Sequence, residues 1–182
     1  MISLAQARAN KLPADWSEAN HSQPVTPTFL GTKVFSNFPL SELKEHIDWG
    51  PFFQTWELKG RFPAILDNEK YGIEARKVYQ DALDMLDKII NEKWLSANAI
   101  IGLYPANAIN DDDIELYQDD SRTQVISTFH FLRQQMKKPQ GKYNQCLADT
   151  IAPKDSGIND YIGTFAVTTG VGIETKLAEF AL

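Results

Sequence analysis

One stretch carries the most chemistry: His46-Ile47-Asp48-Trp49-Gly50-Pro51-Phe52-Phe53-Gln54-Thr55-Trp56-Glu57-Leu58-Lys59-Gly60-Arg61-Phe62-Pro63. It sets five aromatic rings (Trp49, Phe52, Phe53, Trp56, Phe62) near one carboxylate, Asp48. A charged group beside so much apolar surface needs a cationic partner, a set of hydrogen bonds or a ligand. Two readings of Asp48 follow. Its carboxylate binds the ammonium of an amino-acid-like ligand through a charge-assisted contact, or it caps and hydrogen-bonds nearby backbone. Spacing alone leans toward the second. The rings themselves are read as core residues, none of them a ligand contact.

The remaining candidates point to less. Asp111-Asp112-Asp113 lacks the alternating oxygen ligands, the glycine and the later glutamate of a calcium loop, and reads as a solvated turn. His21, His46, His130 and Cys146 share no zinc spacing, so no metal ligand is assigned. A Cys146–His130 nucleophile pair has no local feature that would activate the thiol, and Cys146 reads as a small buried apolar residue. Gly170-Val171-Gly172 is half of a dinucleotide fingerprint without the third glycine, and a turn is the better reading. Arg133-Gln134-Gln135 is either a polar strand end or part of a ligand rim. No catalytic residue is assigned.

The elements that must position these groups follow from pattern. Residues 4–11 are helix formers behind a capping Ser3, and 12–28 hold Pro13, Pro24 and Pro27, an extended arm or linker. Phe29-Leu30-Gly31 ends the arm, and residues 32–35 are short and extended. Residues 39–46 predict a short helix with Leu40, Leu43 and Ile47 on one face, delivering the chain to Asp48 at its exit. Residues 52–58 read as a buried aromatic strand. Residues 71–93 form the clearest element, an amphipathic helix of about six turns with apolar residues recurring every three or four positions. Strands are predicted at 99–104 (ended by Pro105), 113–117 and 123–128, as an antiparallel meander. Residues 129–136 carry on from the last of these, and 139–142 form a loop. A further strand at 160–167 has Ile162 and Phe165 at buried positions, and a helix starts at 173 and runs to the end of the chain.

Composition sets the outer limits. The chain has 182 residues, 43% hydrophobic and 11% aromatic, enough for one domain with a core. A net charge of −6 gives no basic footprint, so nucleic acid is excluded as a main partner. One cysteine rules out an internal disulfide framework and points to a reducing compartment. No run approaches the ~20 apolar residues of a membrane span, and no signal peptide is evident, so a soluble cytoplasmic protein is expected.

The central stretch also resembles a known family. Ile47 to Trp56, followed in order by Tyr104-Pro105-Ala106-Asn107, Leu132-Arg133-Gln134-Gln135, Cys146-Leu147-Ala148-Asp149 and Asp160-Tyr161-Ile162-Gly163, is similar to the activation domain of cobalamin-dependent methionine synthase. The similarity runs from about Phe29 to Gly170. It implies a C-shaped α/β domain of the α+β type, a twisted antiparallel sheet flanked by helices, that binds S-adenosylmethionine in a shallow surface groove. It implies a role in reductive reactivation: flavodoxin, or an equivalent reductase, supplies an electron and S-adenosylmethionine the methyl group to inactive cob(II)alamin. The aspartate of the Ile-Asp-Trp motif is a ligand contact in the family, which carries over to Asp48. Cobalamin is bound mainly by a separate domain, and its Asp-x-His-x-x-Gly motif does not occur here. The family's second ligand segment, Arg-Pro-Ala-x-Gly-Tyr-x-Ala-Cys-Pro, lies past residue 182. The expectation is an arm over 1–28 and a C-terminally incomplete activation domain over 29–182, not expected to methylate anything alone. The alternative is a non-catalytic module that docks the cobalamin domain or flavodoxin.

Overall fold

The computed structural model describes residues 1–16 and 24–180. His21 and part of the predicted arm lie outside them. Helices α1 (Leu4–Ala9), α2 (Leu40–Lys44), α3 (Trp49–Thr55), α4 (Gly72–Asn91) and α5 (Ile173–Phe180) accompany strands β1 (Gly31–Phe35), β2 (Ser96–Ile109), β3 (Asp113–Tyr117), β4 (Val125–His130) and β5 (Asp160–Val171). The five strands form one sheet in the order β1-β2-β3-β4, with β5 also pairing to β2. The chain divides into two compact units: Met1–Lys33 with Ile100–Phe165, and Val34–Ala99 with Ala166–Leu182.

The first unit is built on the expected meander. β2 pairs antiparallel with β3 from Ala106↔Leu116 to Ile109↔Asp113, and β3 with β4 from Asp113↔His130 to Tyr117↔Val125, with a register shift after Leu116. β2 does not stop at Pro105. The proline is buried within the strand just before the first β2–β3 pair, so its missing N–H falls outside that ladder. The apolar core here is Ala106, Ile114, Leu116, Cys146 and Ala148, with Tyr104, Phe129 and Phe131 packed against it. Ser3 caps α1 as predicted: its hydroxyl accepts from Gln6 N–H, and the Gln6 side chain accepts from Ser3 N–H.

The second unit is helical and aromatic. The predicted strand over 52–58 is instead helix α3. The reason is visible in the residues: Trp49, Phe52, Phe53 and Trp56 fall at i, i+3, i+4 and i+7, the helical period. Pro51 lies in the first turn, where a missing N–H breaks no intrahelical bond. Asp48 is therefore not the exit of α2 but the N-cap of α3. Trp49, Phe53, Leu58 and Ile65 pack on Ala75 and Val78 of α4. Each large side chain buried here contributes about 1.5–3 kcal/mol. α4, at 20 residues, spans about 30 Å. Lys44 of α2 pairs with Asp87 of α4. β5 runs to Val171, four residues beyond its predicted end, and Phe165 is 78% exposed rather than buried. Gly172, in a left-handed conformation with φ 106°, turns the chain into α5, as the turn reading of this segment had it.

Candidate functional site

Asp48 stands exposed at the start of α3, and its Oδ1 accepts a hydrogen bond from Gly50 N–H at 2.9 Å. Oδ2 has no hydrogen-bond partner among the described residues. The capping reading of this side chain is therefore met: Asp48 caps α3 while the residue itself stays exposed. Its neighbours are fixed. Trp49 is buried, with its ring edge-on to Phe52 at 5.3 Å and to Tyr79 at 4.8 Å. Phe53 is also in the core, stacked on Phe62 at 6.0 Å. Only Trp56, 57% exposed, presents a largely open ring. Two clefts border the segment. One, about 480 Å³, is lined mainly by apolar side chains including Ile47, Phe52, Trp56 and Met85. The other, about 460 Å³, includes Ser41, Lys44 and Glu45.

The second constellation was not anticipated. Asp112, expected in a solvated turn, is 5% exposed. Its Oδ1 accepts from Arg133 Nε at 2.6 Å and its Oδ2 from Arg8 Nε at 2.8 Å. Arg133 is fully buried, and Asp149 receives its Nη2 at 2.7 Å and its Nη1 at 3.0 Å. The carbonyls of Asn144 and Asp111 take the last two N–H groups, at 2.7 and 2.8 Å. All five guanidinium donors are used. The hydrogen bonds it donates to Asp149, then the one to Asp112, hold the guanidinium more firmly protonated than usual. Arg133 is therefore a structural staple, which settles the choice between strand end and ligand rim in favour of neither.

Asn107 does similar work nearby, donating to the carbonyls of Ala152 and Ile158 at 3.0 and 2.9 Å and accepting from Arg122 at 2.7 Å. Arg122 also donates to the Asp160 carbonyl, and the Asp160 carboxylate takes the N–H of Ala152 at 2.8 Å. The flanking acids diverge. Asp111 pairs with Lys11, and Asp113 with His130, and these contacts hold both carboxyls below their usual range. His130 is thus engaged by Asp113, while the Cys146 sulfur lies 4.0 Å from the Asp112 carbonyl, so no nucleophile pair forms. Burial raises the Cys146 thiol above its ordinary value, away from reactivity. Among the described residues no three His, Cys, Asp or Glu side chains gather as a metal site, and no helix is long and apolar enough to cross a membrane.

Comparison with known proteins decides the family. The family model of the vitamin B12 dependent methionine synthase activation domain matches residues 39–182. The chain belongs to that family. A crystal structure described as the MetH reactivation domain bound to AdoHcy (S-adenosylhomocysteine) is 45% identical, with a TM-score of 0.84. The match covers 98% of this chain and 53% of that one, so the present chain spans about half the length of its structural relative. The mixed helix and antiparallel-sheet architecture is that of the reactivation domain. Within this activation-domain fold, four of the motifs that carry the sequence resemblance place Asn107, Arg133, Asp149 and Asp160 in the buried polar networks of the first unit. The fifth contains Asp48 and forms α3. The signal for α3 was present in its aromatic spacing. For the Arg8–Asp112–Arg133–Asp149 cluster the sequence carries no periodic signal, because its members are far apart in the chain.

Proposed function

We propose that this chain supplies the Asp48 side of an S-adenosylmethionine site and serves the reductive reactivation of cob(II)alamin in methionine synthase. The observation that carries the reading is Asp48 itself: an exposed carboxylate with one oxygen tied to the backbone and the other without a hydrogen bond among the described residues, on a helix locked by aromatic packing. A carboxylate so placed suits the ammonium of the methionyl moiety, through a charge-assisted hydrogen bond. The relative bound to AdoHcy, the demethylated product of that donor, supports the ligand class.

In this reading the chain contributes placement, not an acid or base. S-adenosylmethionine supplies the methyl group, flavodoxin or an equivalent reductase the electron, and a separate cobalamin-binding domain presents the corrin. Those partners, and a cytoplasmic setting, belong to the proposal. So does the division into an arm over 1–28 and an activation-domain segment from 29, with Arg8 and Lys11 fastening the start of the arm to Asp112 and Asp111.

The test is calorimetric titration of S-adenosylmethionine into the chain and into its Asp48→Asn variant. The same pair is repeated in a chain of the reactivation domain's full length that carries this sequence. Asparagine caps helices about as well as aspartate, so the fold is kept while the charge is lost. Affinity is expected to fall about tenfold or more, as for loss of a charged hydrogen bond. Unchanged affinity in Asp48→Asn would falsify the assignment. Binding to neither unmodified chain would favour the docking-module alternative.

A further inference from the structure

Asp48 can meet a ligand reproducibly only if its carboxylate is held in one direction. The group that holds it is Gly50, whose N–H bonds Oδ1 at 2.9 Å. The glycine is not demanded by backbone conformation, since Gly50 is absent from the positive-φ positions of the chain. A side chain at this position would meet the Asp48 carboxylate. A Cβ at position 50 would stand 3.1 Å from Asp48 Oδ1, 3.9 Å from its Cγ and 4.0 Å from Oδ2. The first distance is shorter than ordinary van der Waals contact, and the carboxylate would have to move by a few tenths of an ångström. Movement of the backbone is resisted on the other side by Trp49, wedged edge-on between Phe52 and Tyr79.

We infer that Gly50 is a positioning residue for the ligand: its N–H fixes Oδ1, and its missing side chain leaves the carboxylate where Oδ2 can take an ammonium. The inference rests on the reading of Asp48 as a ligand contact. It adds a requirement that the Asp48 assignment alone does not contain.

The two are separated by measuring S-adenosylmethionine affinity and thermal unfolding for Gly50→Ala, Asp48→Asn and Gly170→Ala, in whichever of the two unmodified chains binds. Gly170 is the control, because a Cβ there meets nothing within 4 Å. A longer, less aligned charged hydrogen bond is a weaker one, so binding should fall about fourfold in Gly50→Ala. Alanine is the better helix former while the displaced carboxylate caps less well, so the same variant should unfold near the parent's temperature. A loss of affinity without a loss of stability is a result that a general structural defect does not produce. Gly170→Ala should bind like the parent. If Asp48→Asn loses binding while Gly50→Ala keeps it, the positioning role is wrong and the Asp48 reading stands. Loss of affinity in both glycine variants also overturns the positioning role. Full binding by Asp48→Asn, or none by either unmodified chain, removes both.

Discussion

Arg133→Met tests whether the buried polar cluster is scaffold. The substitution keeps volume and removes five donors at once. Among the described residues, Asp112 would retain the Arg8 contact at 2.8 Å, and Asp149 the N–H of Cys146 at 2.9 Å. The carbonyls of Asn144 and Asp111 would each lose their guanidinium N–H. Removing one partner of a buried ion pair costs about 3–5 kcal/mol, because an uncompensated charge is left behind. Two carboxylates are affected here, each with one remaining donor, so about 4 kcal/mol is a fair expectation. Against a total of about 5–15 kcal/mol, that is a large part of the stability. For a chain of this size it corresponds to a fall in Tm of about 10 °C. Two compact units need not unfold together, so amide exchange of β3 is the readout, with urea unfolding beside it. Arg133→Lys should recover little: an ammonium has three donors on one atom and cannot span Asp112, Asp149 and two carbonyls. A cost below about 1 kcal/mol in Arg133→Met, with β3 protection unchanged, would refute the scaffold role. It would return Arg133 to the list of possible ligand contacts.

Phe53→Ala should cost about 3–5 kcal/mol, since Phe53 is 1% exposed among Phe52, Phe62 and Tyr79; an urea midpoint near the parent's would show that α3 does not pack as described. Acid should weaken the first unit through Asp111 and Glu115, whose carboxyls are held low chiefly by hydrogen bonds from Lys11 and Lys154. A depressed folded-state value adds stability that is complete above the unfolded value and is lost as pH falls through the folded one. Stability should therefore drop as pH is taken below about 4. Asp111→Asn with Glu115→Gln should flatten that slope, and an unaltered slope would place the acid sensitivity elsewhere.

Much of the fold is legible in the sequence wherever a single segment carries its own period. Residues 72–91 repeat apolar side chains at helical spacing, and they form α4. β3 lies where its β-rich run and flanking turns place it. The aromatic density of 52–58 suggests a buried strand, but 49, 52, 53 and 56 carry the helical period, and α3 follows the spacing. Phe165 was misread because an apolar residue in a strand is only half an argument for burial; the strand needs a partner layer on that face. Asp48 was legible as a residue needing partners. That it would bond Gly50 and keep one oxygen free was not, because a side-chain rotamer is set by a local backbone geometry that composition does not encode.

The buried charges were the least legible, and the reason bears on how the family resemblance works. An apolar core position accepts many residues of similar volume. Arg133 does not, because five acceptors from four residues are arranged around one planar fork. Asn107 and Asp160 are tied in the same way to the carbonyls and N–H groups of residues 152 to 158. Such positions tolerate little exchange, so they form short, specific words in a sequence. Four of the five segments that make this chain resemble an activation domain are words of that kind, and they specify the frame of the first unit. Recognising the family from them is sound, but transferring ligand contacts from them is not. Among the described residues of these five segments, Asp48 beside Gly50 is the exposed carboxylate with an oxygen left without a hydrogen bond, and a ligand contact belongs with that combination.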